Sequence, residues 1–123
     1  MAMRKTLRDL LSANENLILP GVLSPIESLF AKNAGFKALY ISGAALSTSL
    51  GLLDEGKITR GKMVSLIREI RNTNDLPLLA DCDTGLFSKG EMAKKDFHAL
   101  EVIAKTVTAL EDAGADAIQI EDQ

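Results

Sequence analysis

Ala34-Gly35-Phe36-Lys37-Ala38-Leu39-Tyr40-Ile41-Ser42 has a counterpart later in the chain, Ala113-Gly114-Ala115-Asp116-Ala117-Ile118-Gln119-Ile120-Glu121. In each copy a glycine able to adopt positive φ stops a helix, a short link follows, and an apolar strand ends in a polar residue. Helix-to-strand links this short, used twice, predict a parallel sheet, because right-handed crossovers return successive strands in the same direction. The fold class read from this repeat is α/β.

The same alternation extends outward from the two copies. Leu17-Ile18-Leu19, stopped by Pro20-Gly21, is expected as a first strand, Ala38 to Ile41 as a second, Leu78 to Ala80 as a third and Ala117 to Ile120 as a fourth. Leu7, Leu10 and Leu11 predict a short amphipathic helix over residues 1–16. Ser24-Pro25-Ile26-Glu27 is a helix start, with Ile26, Leu29 and Phe30 as its buried stripe. Met63, Leu66, Ile67 and Ile70 mark the next helix, and Phe97, Leu100, Ala104, Val107 and Leu110 the last. Residues 42–56 and the stretch from Leu86 to Phe97 are expected as loops. No composition shift or linker divides the chain, so residues 1–123 read as one domain, the barrel-like part being 17–123.

Composition excludes several function classes. At 46% hydrophobic and 25% charged, the 123 residues can bury a core and do not resemble a disordered chain. No apolar run is long enough to span a bilayer, so no membrane partner is expected. Fourteen Lys+Arg against seventeen Asp+Glu, a net charge of -3 and 4% aromatic residues argue against a nucleic-acid partner. One cysteine excludes a disulfide framework and fits a reducing, cytoplasmic compartment.

Polar residues collect at the carboxyl ends of the expected strands, where parallel α/β folds bind ligands. Asp81 and Asp83, two positions apart at a strand end, would point the same way, with Cys82 facing the helix layer. Such a pair reads equally as a hard-cation site, for Mg2+ or Mn2+, or as caps on the following loop. Glu121, ending the next strand, tilts the reading toward metal. The Ser42-Gly43-Ala44-Ala45 turn offers backbone amides to an anion or serves simply as a tight turn. His98, the single histidine, is expected inside a helix, which argues against a Ser-His-Asp apparatus. Cys82 is expected as a packing residue rather than a nucleophile. A phosphoacceptor receiver domain is disfavoured, because its acidic pair would follow the first strand rather than the third.

Leu19-Pro20-Gly21, Ala34 to Ala44, Leu50-Gly51-Leu52-Leu53-Asp54, Asp81-Cys82-Asp83-Thr84-Gly85 and Ile120-Glu121-Asp122-Gln123 occur in that order. Together they resemble the isocitrate lyase/phosphoenolpyruvate mutase superfamily, most closely its 2-methylisocitrate lyases. The resemblance implies a (β/α)8 TIM barrel, of which about the first four βα units lie in these residues. It implies Mg2+-dependent (or Mn2+-dependent) carbon–carbon cleavage of a small carboxylate, to pyruvate and succinate, through a metal-stabilised enolate. By motif, Asp81 resembles the direct metal ligand and Asp83 and Glu121 the holders of metal-bound waters. Ser42, Gly43 and Ala44 resemble the segment binding the substrate carboxylate, with Tyr40 and Asp54 as catalytic neighbours. Phosphoenolpyruvate mutase, phosphonopyruvate hydrolase and oxaloacetate decarboxylase chemistries belong to the same resemblance, and so does homo-oligomer formation. The lyases carry a Lys-x-Cys-Gly loop beyond Glu-Asp-Gln. This sequence stops at Gln123, so the 123-residue chain is expected to be inactive alone, as the front half of a barrel or as a non-catalytic paralogue acting as a binding or structural partner.

Overall fold

A computed structural model describes residues 5–13, 16–52 and 58–121. In chain order its elements are α1 (Leu7–Ser12), α2 (Pro25–Asn33), β1 (Leu39–Ile41), α3 (Gly43–Ser49), α4 (Arg60–Arg71), β2 (Leu78–Asp81), α5 (Lys89–Met92), α6 (Ala99–Ala113) and β3 (Ala117–Gln119). The strands form one parallel sheet in the order β1-β2-β3.

Register and strand alternation divide the sheet into two faces. Leu39 pairs with Leu78, Ile41 with Ala80, and Ala80 with Ile118. These side chains meet Met63, Ile67, Ile70 and Leu110 from the helices, and Leu39, Ile41, Leu78 and Ala80 are fully buried there. The opposite face carries Tyr40, Leu79, Asp81, Ala117 and Gln119. Its amino-terminal end is covered by Leu7 and Leu10 of α1, which pack with Ala38, Leu79 and Ala117. Its carboxyl-terminal end carries Tyr40 and Asp81.

Several expectations hold and several are corrected. Met63, Leu66, Ile67 and Ile70 form the buried stripe of α4 as read. Gly35 (φ 90) and Gly114 (φ 114) stop α2 and α6 in the left-handed region. The first expected strand is corrected: residues 17–19 form none, and the extended segment pairs further on, at an isolated parallel bridge between Gly21 and Tyr40. Tyr40 N donates to Pro20 O at 3.0 Å and Val22 N to Tyr40 O at 2.9 Å, while Leu17 and Leu19 turn toward α1. Proline can accept from a neighbouring strand but has no N–H to extend a ladder.

The loop expected over residues 42–56 contains α3, begun by Ser42, whose Oγ accepts from Ala45 N at 3.1 Å. Residues 53–57 lie outside the described residues. The loop from Leu86 to Phe97 contains α5, with a Ser88/Glu91 capping box. The stripe of α2 is also corrected: Ile26 and Phe30 are exposed, and Ser28 and Ala31 are buried instead. In α6 the buried face is Val102, Thr106, Leu110 and Ala113, while Leu100 is 81% exposed. Phe97 precedes that helix and packs edge-on against Phe87, with ring centroids 5.4 Å apart. His98 is the N-cap residue of α6 rather than an interior helix residue.

Arg71, at the end of α4, ties the entrances of two strands together. Its Nε donates to Gly114 O at 2.6 Å, Nη1 to Leu76 O, and Nη2 pairs with Asp116. Asp116 Oδ2 also accepts from Leu78 N at 2.8 Å. Strands β2 and β3 are thereby held in register at their amino-terminal ends.

Candidate metal and carboxylate site

β2 delivers Asp81 to the carboxyl end of the sheet, where its side chain is buried to 5% exposure. A carboxylate this deep needs donors, and it has them. Asp81 Oδ2 accepts from the Tyr40 hydroxyl at 3.2 Å and from Gly43 N at 3.3 Å. Oδ1 accepts from Asp83 N at 3.0 Å. Strand β1 thus contributes a phenol, the start of α3 a peptide amide, and the turn after β2 a second amide.

Asp83 reaches the same place by a route that strand alternation did not foresee. The strand ends at Asp81, and Asp83 has φ 47, a left-handed conformation that aspartate tolerates better than most residues. The turn swings its carboxylate against Gly43. A Cβ added at Gly43 would lie 2.8 Å from Asp83 Oδ1 and 3.0 Å from Oδ2. Only glycine allows this approach, although its φ is ordinary. Glu121 N donates to Asp83 O at 2.8 Å, and Glu121 Oε1 accepts from Gln119 Nε2 at 3.4 Å.

Tyr40 registers the resulting field. Burial first, then the charge and hydrogen bond of Asp81, then the charges of Glu121 and Asp83, push its phenol up to about 12. All three acidic side chains therefore act on one hydroxyl. The expected metal residues Asp81, Asp83 and Glu121 are brought to one end of the sheet with Tyr40 and Gly43. Gln119 joins them and was missed by sequence reading. Gln119 lies beside Asp81 in register, a pairing that only the folded sheet reveals. Asp54, the other expected catalytic residue, lies outside the described residues.

Two expectations about Ser42, Gly43 and Ala44 change. They open a helix rather than a bare turn, and two of their polar groups are committed: the Ser42 hydroxyl caps Ala45 N, and Gly43 N serves Asp81. The Ala44 amide belongs to the first helical turn, whose N–H groups lack intrahelical acceptors.

Among the described residues, no three His, Cys, Asp or Glu side chains converge closely enough to enclose an ion by themselves. The donor set suits a hard cation that keeps part of its water: one buried carboxylate, two further acids beside it and oxygen atoms throughout. A softer metal would need sulfur or imidazole donors. The residues fit Mg2+ or Mn2+.

Residues 7–123 match the family described as phosphoenolpyruvate phosphomutase. The chain belongs to the phosphoenolpyruvate mutase/isocitrate lyase superfamily. Among members of this superfamily, the 2-methylisocitrate lyase of Aeropyrum pernix is 39% identical over 117 residues, covering 95% of this chain and 34% of that protein. The phosphoenolpyruvate phosphomutase of Streptomyces platensis subsp. rosaceus superposes with a TM-score of 0.79 at 28% identity, covering 94% of this chain and 37% of that one. A phosphonopyruvate hydrolase, solved in complex with oxalate and Mg2+, gives 0.80 at 28% identity, covering 95% and 38%. The chain spans about a third of the length of the curated relatives it matches. The superfamily fold is of TIM-barrel type, consistent with the parallel sheet described above.

Cys82 stands apart from this chemistry. It is fully buried among the helix-side residues, and its Sγ donates to Gln119 O at 3.0 Å. Burial, followed by the charges of Asp81 and Asp83, pushes the thiol up to about 11. A disulfide reagent at neutral pH is therefore expected to leave Cys82 unmodified until denaturant is added. Rapid labelling of the native chain would contradict this placement.

Tyr40 offers a direct titration, because the sequence holds one tyrosine and no tryptophan. Phenolate absorbance is expected to rise with a midpoint near 12 in the native chain, against an ordinary value of 10.0. The folded value is the raised one. The stabilisation from the protonated phenol is thus complete below pH 10 and lost as pH climbs through about 12. A native midpoint at the ordinary value would refute the contact with Asp81.

Proposed function

We propose that these residues form the metal and carboxylate-binding part of a Mg2+-dependent carbon–carbon lyase resembling 2-methylisocitrate lyase. The observation that carries this reading is the buried Asp81 carboxylate, flanked by Gly43, Asp83 and Tyr40 at the ligand-binding end of a parallel sheet. The names of the relatives support the same chemistry. Bound here, Mg2+ would supply Lewis-acid stabilisation of the negative oxygen that develops beside the cleaved bond.

The chain's own groups have separable tasks. Asp81 would hold the ion directly, and Asp83 and Glu121 would orient its water. Ser42, Gly43 and Ala44 line the approach for the substrate carboxylate, with the Ala44 amide as donor. Tyr40, kept protonated, donates its one proton to Asp81 and so holds that carboxylate in orientation. Cys82 faces the helix layer with a raised pKa, so the acid/base that protonates the product enolate is a different group. On this reading the 123-residue chain binds metal and an enolpyruvate-like dianion without turning substrate over.

The test uses the purified chain, with Mn2+ as a spectroscopic stand-in for Mg2+ and oxalate as a planar mimic of enolpyruvate. Saturable Mn2+ binding, competed by Mg2+ and tightened by oxalate, is the expected result, with no pyruvate formed from 2-methylisocitrate. Absence of Mn2+ binding would refute the metal assignment, and pyruvate formation would refute the division of labour. Likeness to a phosphomutase and a phosphonopyruvate hydrolase favours a second reading, in which the same site handles a phosphonate-bearing 2-oxo acid. Tighter Mn2+ binding with phosphonopyruvate than with oxalate would select it.

A further inference from the structure

The turn from Asp81 to Gly85 is closed by Gly85 N donating to Cys82 O at 2.8 Å, and Gly85 has φ 127. Its carbonyl accepts from Thr106 Oγ1 of α6 at 2.8 Å. Thr106 is 1% exposed. The same hydroxyl oxygen accepts from Arg60 Nε of α4 at 2.8 Å. Arg60 Nη2 in turn pairs with Glu91 Oε1 of α5 at 2.8 Å, and Glu91 Oε2 accepts from Ser88 N at 2.9 Å. The Ser88 amide and then the Arg60 guanidinium hold the Glu91 carboxyl down at about 2, so the pair stays charged through the neutral range.

The direction of this chain is forced by its chemistry. A guanidinium only donates, and a threonine hydroxyl has one proton. With Arg60 donating to the oxygen, the Thr106 proton is directed to Gly85 O. Three helices thus converge on one carbonyl of the turn that carries Asp83 and ends β2.

We infer that Thr106 and Arg60 are positioning residues for the acidic site, fixing the Asp81–Gly85 turn from behind through the Gly85 carbonyl, with Glu91 fixing Arg60. Neither residue reaches the acidic cluster through the contacts described. Their effect runs through the turn, which sets where the Asp83 carboxylate stands against Gly43. The consequence for metal affinity rests on the proposed function. The geometric claim does not.

The experiment compares Thr106→Val, Thr106→Ser and Arg60→Met with the unmodified 123-residue chain, by residue-resolved amide hydrogen exchange and by Mn2+ binding. Thr106→Val keeps the shape and removes the hydroxyl. Exchange at Asp83 and Gly85 is expected to quicken about tenfold, the factor of one net hydrogen bond, with Leu79 and Ala80 in the strand unchanged. Mn2+ affinity is expected to fall by a similar factor. Thr106→Ser should restore both, because it keeps the hydroxyl, and Arg60→Met should reproduce the turn effect from a partly exposed position. Unchanged exchange at the turn overturns the inference, as does a uniform rise across the sheet or failure of serine to restore protection. Should Thr106→Val not fold, Arg60→Met decides by the same exchange criterion. If the unmodified chain binds no Mn2+, the functional reading fails while the exchange results still decide the positioning role.

Discussion

The Asp81→Asn chain is expected to lose Mn2+ affinity by at least about a hundredfold while keeping its fold, because the substitution removes the buried charge that attracts the ion but little volume. Asp81 accepts from Tyr40, Gly43 and Asp83 through two oxygens. An asparagine can keep the Asp83 contact through its carbonyl oxygen, and Tyr40 can then accept from the new amide. The Gly43 amide loses its acceptor, at a cost of about 1 kcal/mol. Relief from burying a charge offsets part of that cost. The Tyr40 titration supplies an internal check. Its midpoint should fall only part-way from about 12 toward 10.0, since burial is the largest cause and remains. Wild-type Mn2+ affinity in this variant would remove Asp81 from the metal site. An unchanged Tyr40 midpoint would show that the phenol does not report on it.

The Arg71→Met chain is expected to lose about 2–4 kcal/mol of stability, read as a lower urea midpoint with an unchanged slope. The side chain is 13% exposed and Asp116 24%, so little water is available to replace what is lost. Methionine fills the aliphatic path of arginine but leaves the carbonyls of Gly114 and Leu76 and the Asp116 carboxylate without that donor. Both residues sit where strands enter the sheet, so the loss falls on strand register as well as on the contacts themselves. A change below about 1 kcal/mol would mean that solvent satisfies these groups and that Arg71 is not a strand anchor.

The two helices whose stripes needed correction explain how far sequence reading reached. Met63, Leu66, Ile67 and Ile70 were legible because an amphipathic helix under a sheet must repeat its apolar residues near every 3.6 positions. The same rule misplaced Ile26, Phe30 and Leu100. It treats every large apolar residue as a core candidate, and the buried places went to Ser28 and Thr106 instead. Those hydroxyls are stable inside because Pro25 O and Gly85 O accept from them at 2.7 and 2.8 Å. Nothing in the local spacing announces such partners. Short helices α3 and α5 escaped for a related reason. Their capping serines, Ser42 and Ser88, are visible in the sequence, but seven and four residues are too few to show an apolar period.

At the acidic site the residue types were legible and their arrangement was not. Asp81 and Asp83 were expected to share a face by strand alternation, yet the strand ends between them and a left-handed turn brings the second carboxylate round. Glycines 35 and 114, the repeated helix-to-strand unit and the acids gathered at strand ends could all be read from neighbouring residues, because each reflects local backbone sterics or periodicity. Tyr40 and Gly43 meeting Asp81, and Arg71 meeting Asp116, required the folded chain. Those partners lie 38 to 45 positions apart. Contacts at that range depend on strand register and on how helices seat against the sheet, which are set by the sum of the packing and by no single segment.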